Sequence, residues 1–283
     1  MVWAWGGLRP SNSSGNLCCW VTHRRQVATT VCHVLQEDVS LAEAIPVADR
    51  DKAIEECIAA VVRIPRGRWS GLRTDSTPGG VGLLVLQGLL VRYVGVSGSF
   101  GAELLGQGDV LRPWQGEDAP LTPPQTTGWR VLEPTRLAVL DLEVARRFAR
   151  YPELTGSLVA RTLESSRRLA THMAIVHQAR VHVRLHMVLW HLADRWGYVR
   201  PEGTILPLRL THDVLADLVA AQRPTVSSAL SQLTTNELVR LGREGWLLLG
   251  QPPGELLELH EPSAGGARLI APATTNVDHV SGC

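Results

Sequence analysis

The feature that most constrains this chain is an abrupt change of texture at Glu143. Before it, from Val61 to Leu142, short apolar runs (VVRI, VGLLVL, LLVRYVGV, AELL, DVL, WRVL and RLAVLDL) are separated by Gly and Pro. Their lengths and turn spacing predict an antiparallel barrel or sandwich. Ser97-Gly98 reads as a hairpin turn between two runs, and Gly106-Gln107-Gly108-Asp109 as a second tight bend. After Glu143 the strand-type runs give way to PELTGSLVARTLESSRRLATHMAIVHQARV, helical in pattern and without proline beyond Pro152. Proline suits a first helical turn, where the missing N–H has no partner to lose. Strands followed by helices place the chain in the α+β class.

The helix after Pro152 is expected to span about 25 residues, roughly 37 Å at 1.5 Å per residue. Positions 158, 162, 165, 169, 173 and 176 step by fours and threes, and hold Leu158, Thr162, Ser165, Leu169, Met173 and Val176. Such a seam packs either on the helix's own domain or, as in a coiled coil, on a second copy. Upstream, Leu41, Ala44, Ile45, Ala53, Ile54, Cys57 and Ile58 predict helix from about Ser40 to Ile58. The Gly-, Ser-, Asn- and Trp-rich stretch before about residue 26 has no periodicity and reads as a poorly ordered leader, extended in the domain division to residue 38. Residues 251–283, punctuated by Pro and Gly, read as a loose tail.

The segment RLHMVLWHLADRWGYVRPEGTILPLRLTHDVLADLVAAQRPTVSSALSQLTTNELVRLGREGWLLLG carries the clearest geometry. Leu185, Val188, Leu189, Leu192 and Ala193 share one face of a helix that Gly197 ends, and a strand follows at Ile205–Leu208. Thr211 is placed as an N-cap, with Asp213 in the first turn to suit the helix dipole. Leu215, Ala216, Leu218 and Val219 form the buried stripe of a short helix. A tight break at Ala220-Ala221-Gln222 leads to a second helix with Pro224 in its first turn. In that helix Val226, Ala229, Leu230 and Leu233 face inward, and Arg223, Thr225, Ser227, Ser228, Ser231 and Gln232 face outward. This is helix-turn-helix geometry, in which small polar side chains let the second helix seat in a major groove. Leu238–Leu241, a Gly242–Gly245 turn and Trp246–Leu249 read as a β-hairpin wing carrying Arg240 and Arg243.

The segment resembles the winged-helix domain of the Crp/Fnr transcription regulators, whose pattern L-T-x-x-x-L-A-x-x-x-G-x-x-R-x-T-V-S-x-x-L-x-x-L is followed by LTHDVLADLVAAQRPTVSSALSQL. Ala221 stands near the family's turn glycine. More weakly, VGLLVLQGLLVRYV and LLGQGDVL resemble the strands and the G-P-G-D turn of its sensor. The resemblance implies an antiparallel β-roll of double-stranded jelly-roll type at 39–142 and a dimerisation helix at 143–180. It implies a winged helix at 181–250. It further implies a homodimer formed through about 153–178, reading double-stranded DNA at a pseudo-palindromic site. An unidentified small-molecule effector would act at the roll, with RNA polymerase as a further candidate partner. The expected DNA contacts are Arg223, Thr225, Ser227, Ser228, Gln232 and Thr211 with Arg240 and Arg243 on the wing. Only Arg223 carries over by motif, because Pro224 and Ser228 replace the Glu and second Arg of the best-known members. A hinge at Gln178–Val183 would set the spacing of the two recognition helices. The sensor also departs from the pattern. Gly116-Glu117 is present without the Arg-Ser or Arg-Thr that holds a cyclic phosphate, and three prolines oppose a helix there. No cAMP binding is expected.

Other chemistry is poorly supported. His172, His177, His182, His186 and His191 flank the long helix, and His182 with His186 has metal-capable spacing, but no third ligand stands at a fixed distance. Cys18, Cys19, Cys32, Cys57 and Cys283 are scattered, which opposes a disulfide framework or an iron–sulfur centre and suits a cytoplasmic setting. No secretory or membrane-spanning segment is recognisable. Catalytic motifs are lacking, so neither an enzyme nor a cofactor is expected. Trp69, Trp114 and Trp129 either line a ligand cavity in the sensor or pack its core. The net charge is +1, and Lys52 is the one lysine among 28 basic residues. Within 206–249, Arg209, Arg223, Arg240 and Arg243 balance Asp213, Asp217, Glu237 and Glu244. A DNA reader is usually locally basic, so a dimeric ligand sensor whose winged helix makes protein contacts stands as the alternative.

Overall fold

The computed structural model describes residues 30–71, 80–96, 99–113, 125–254 and 256. Its first unit is an antiparallel roll built on two long strands, β4 (Gly82–Val96) and β7 (Gln125–Leu140). Around them lie β1 (Thr30–His33), β2 (Ile58–Ile64), β3 (Gly67–Trp69), β5 (Ser99–Gly106) and β6 (Val110–Leu111). The sheet order is β1-β2-β7-β4-β5, with β3 on β7 and β6 on β4. Several runs that read as separate strands are thus single strands bent by irregular register between Val85 and Leu90. Gly88 makes the bend possible: its φ is +104°, and a Cβ there would stand 2.5 Å from Thr135 Oγ1. Trp69 and Trp129 are cross-strand partners that meet edge to face at 5.5 Å and pack the roll's interior with Leu83, Val85 and Leu137. Ser97-Gly98 and Trp114 lie outside the described residues.

Two boundaries differ from expectation at the N-terminal side. Residues 30–38, assigned to the leader, belong to the roll: β1 pairs with β2, and Val34 and Leu35 are fully buried in α1 (Val34–Glu37). Four residues of strand are too few to show periodicity, so this element was invisible in the pattern. The helix expected at 40–58 is two, α2 (Val39–Glu43) and α3 (Val47–Glu56), because Pro46 has no amide hydrogen to continue the first. Ile58 instead starts β2.

The expected helix at 143–180 is also two. α4 (Leu142–Phe148) starts at Asp141, whose carboxylate accepts the Val144 amide at 2.9 Å, and α5 (Pro152–Val176) is the 25-residue helix. The break falls at Tyr151, held non-helical by the following proline. α5 buries Leu154 and Leu158 against the roll and Ile175 against the C-terminal unit. Of the seam positions, Leu158 faces the chain's own core, Ser165, Leu169 and Val176 are half-buried, and Thr162 and Met173 are exposed. The exposed stripe lies at Gly156, Val159, Leu163, Ser166, Ala170 and Met173, again spaced by threes and fours. Val159, Leu163 and Met173 are 54%, 63% and 57% exposed. Arg161, on a flank between the two faces, clamps Asp38 at 2.6 and 2.7 Å. Burial alone would raise the Asp38 pKa, but the Arg161 hydrogen bonds hold it below the ordinary carboxylate value.

Candidate nucleic-acid interface

The C-terminal unit comprises α6 (Val181–Trp196), α7 (His212–Leu218) and α8 (Arg223–Thr235). They pack on a four-stranded sheet ordered β10-β11-β9-β8, from β8 (Tyr198–Arg200), β9 (Gly203–Leu206), β10 (Val239–Leu241) and β11 (Trp246–Leu248). The five apolar residues assigned to the inner face of α6 are buried, and Gly197 follows its last residue. A side chain at Gly197 would press a Cβ to 2.4 Å from the Ala193 carbonyl. The strand expected at 205–208 is β9, shifted two residues earlier, and β8 was not anticipated.

Thr211 caps α7 by accepting the Val214 amide at 3.3 Å. The turn to α8 passes through Ala220 at φ +49°, one residue before the alanine aligned with the family's glycine. A non-glycine residue in this region carries about 1 kcal/mol of strain, here overridden by packing on both sides. The stripe Val226, Ala229, Leu230 and Leu233 is buried as expected. On the outer side, Arg223, Pro224, Thr225, Ser228, Ser231 and Gln232 are exposed. Ser227 is half-buried: its hydroxyl donates to the Arg223 carbonyl at 3.1 Å and lies 2.9 Å from His212 Nδ1 on α7. Arg223 itself stands 3.4 Å from Asp213, both well exposed. The wing forms as β10 and β11 around a turn closed by the Gly242 amide on the Gly245 carbonyl, with Arg240 and Arg243 exposed. The Arg209 guanidinium donates to the Arg243 carbonyl at 2.7 Å and ties the wing to the segment between β9 and Thr211.

The rear of the helix-turn-helix is held by the rest of the chain. Tyr93 of β4 donates to Asp217 of α7 at 3.0 Å. Burial, then the adjacent Asp217 charge, pushes the Tyr93 phenol up to about 12, and burial raises the Asp217 carboxyl. Asp217 is therefore turned toward the roll. Arg184 donates to Val219 and Ala220 carbonyls at 2.6 and 3.3 Å and also to Gln178, so one side chain joins the α5–α6 hinge to the end of α7. His172 of α5 lies 2.8 Å from the Leu218 carbonyl. His172, Asp213 and Asp217 stood out in the sequence for other reasons, but these pairings, like those of Tyr93, Arg184 and His212, depend on elements that only the fold brings together. The charge balance also changes in three dimensions. Asp217 is occupied at the rear, and Glu244 lies near Arg200 and accepts from Tyr198. Of the four acids, Asp213 is the one found beside the recognition-helix arginine.

A chain with this architecture belongs to the class of two-unit proteins in which an antiparallel roll is joined by a long helix to a winged helix. Residues 183–252 match the Crp-like helix-turn-helix domain. Three solved structures share the fold at low identity. A double mutant of CooA from Carboxydothermus hydrogenoformans is 18% identical over 80% of this chain and 94% of its own, with a TM-score of 0.53. FixK2 from Bradyrhizobium japonicum is 18% identical over 71% and 96%, with a TM-score of 0.52. A cyclic nucleotide-binding domain containing protein from Listeria monocytogenes EGD-e is 16% identical over 74% and 96%, with a TM-score of 0.54. Against the curated proteins the chain has no match. The fold is thus that of the Crp/Fnr regulators, and no helix among the described residues is long and apolar enough to cross a membrane.

Proposed function

We propose that this protein is a DNA-binding transcription regulator that works as a homodimer, with α8 as recognition helix and the roll as sensor. The observation that carries the reading is the outer face of α8: Arg223, Thr225, Ser228, Ser231 and Gln232 are exposed together, on a Crp-like helix-turn-helix whose inner face is fully packed. Arginine and glutamine suit base edges, and the short hydroxyls suit phosphates or close approach. Arg240 and Arg243 on the wing would reach flanking phosphates, and Thr211, at the start of α7, the backbone beside them. Ser227 would act mainly through His212, fixing α8 against α7. Two copies joined along the exposed stripe of α5 would present two recognition helices to half-sites about 34 Å apart. The input to the roll, and any contact with RNA polymerase, follow from the fold by analogy.

The test is selection of genomic fragments by the purified protein, followed by anisotropy titration of a selected fragment. Arg223→Ala should weaken binding by about 1–3 kcal/mol, roughly 5- to 150-fold. Unchanged affinity would remove α8 from the interface.

A further inference from the structure

A compact group of ionisable side chains lies away from the recognition surface, where β5, α5 and α6 meet. They line a cavity of about 30 Å³, bounded by Glu103, Ser165, Arg168, His172, His191 and Trp196. That is room for one water molecule. His172 on α5 reaches the Leu218 carbonyl at the end of α7 at 2.8 Å, and His191 on α6 faces the same cavity as Arg168 of α5. Their rings meet edge to face at 6.0 Å. His172 therefore ties α5 to α7 while the ring contact joins α5 to α6, and the Leu218 bond needs a single N–H, which the neutral ring supplies.

The surroundings make a second charge there costly. Arg168 and Arg195 reach Asp109 at 3.5 and 2.9 Å, and Arg195 also donates to the Gln107 carbonyl at 3.1 Å. The β5–β6 turn is so held by α5 and α6 together. Trp196 lies against the same turn, its indole nitrogen 3.3 Å from where a Gly106 Cβ would stand, with the Arg195 guanidinium over its ring at 4.4 Å. The acid lining the cavity is Glu103 of β5, paired with Arg92; Asp109 in the turn is held by Arg168 and Arg195, and Asp194 acts on His191 from α6. α7 presents the Leu218 carbonyl.

We propose that this joint is a proton-operated latch: with His172 and His191 neutral, α6 and α7 dock on α5 and on the β5–β6 turn, and protonation releases the winged helix from the roll. The latch supplies a regulatory input to the DNA-binding reading above and rests on it only for its effect on DNA. Its sign follows from linkage. Burial, opposed by the Leu218 bond, lowers His172, and burial followed by the His172 charge lowers His191 to about 4. Released rings return to about 6.5. The released form then binds more protons, so docking is undisturbed above pH 6.5 and is lost as pH falls from there toward 4. Each histidine moves the equilibrium by up to about tenfold per pH unit in that window. Glu103 and Asp217, raised by burial, favour docking as they protonate. Their protonation opposes that of the two histidines, and variants of His172 and His191 separate the histidine contribution.

The full-length protein labelled with fluorotryptophan tests this, the Trp196 resonance being assigned by its loss in Trp196→Phe. In the wild type that resonance should shift to a released position with a midpoint between pH 6.5 and 4. In His172→Gln/His191→Gln, which keeps a donor and cannot take up a proton, the midpoint should fall by a pH unit or more. His172→Gln alone, expected to fall by about half as much, serves if the double variant does not fold. Equal midpoints in wild type and variants, or no release above pH 4 in the wild type, would overturn the latch. DNA affinity of the wild type should change with the same midpoint as Trp196. Should the protein select no DNA at any pH while Trp196 titrates as stated, the regulator reading fails and the latch stands.

Discussion

At the residue scale the recognition helix carries its own competitor. Arg223 stands 3.4 Å from Asp213, and both are solvated, so the pair itself is worth about 0.2–1 kcal/mol. Its effect on DNA binding is larger than that figure suggests, because Asp213 must give up Arg223 and then face phosphates. Asp213→Asn should tighten DNA binding by about two- to tenfold at low salt, and the gain should shrink as salt rises. Anisotropy titrations at two salt concentrations measure both. A looser complex would mean that Asp213 positions Arg223 productively. The spacing of Asp213 and Arg223 was readable in the chain, but their pairing depends on the turn at Ala220 that brings α7 to α8.

At the element scale α5 divides its surface between two duties. One side buries Leu154, Leu158 and Ile175 within the chain; the other presents Val159, Leu163, Ala170 and Met173 to solvent. The spacing of fours and threes was correctly expected, but three such stripes fit a helix of this length. Sequence periodicity cannot choose among them, because a helix facing a core and a helix facing a partner both ask for apolar residues every three or four positions. Only the position of the roll settled which stripe is free. If two copies join along this stripe as proposed, Leu163→Glu should dissociate them, since a carboxylate at the centre of the seam costs roughly 3–5 kcal/mol, with little effect on the fold of each chain. Leu169→Glu, half-buried within the chain, should instead lower the melting temperature. Sedimentation and calorimetry on the two variants separate these outcomes.

At the scale of the whole molecule the two units are not independent. Leu89, Val91, Ala102 and Leu104 of the roll share a core cluster with Leu185, Leu189 and Leu215 of the winged helix. Tyr93 and His172 add polar anchors to α7. The roll therefore packs directly on the helix that carries Asp213. What the roll binds is constrained by its interior. Among the described residues the buried polar side chains are Asp38, Asp109, Thr135 and His186, and none is an arginine or lysine. Among the described residues a cyclic phosphate would find no fully buried cationic partner; Gly116-Glu117 lies outside them. Isothermal titration with cAMP should therefore show no saturable micromolar binding, and saturation in that range would overturn this.

The chain by itself determined the α+β class, the winged helix and the inner and outer faces of α8. These rest on local rules: apolar period, capping by Thr211, and proline where an amide is dispensable. Tertiary structure alone decided that residues 30–38 join the roll and which stripe of α5 is free. It also decided that Asp217 faces the sensor and that two distant histidines meet. Each of these is a contact between segments far apart in sequence, and local pattern has no means of registering the partner that burial or a hydrogen bond selects.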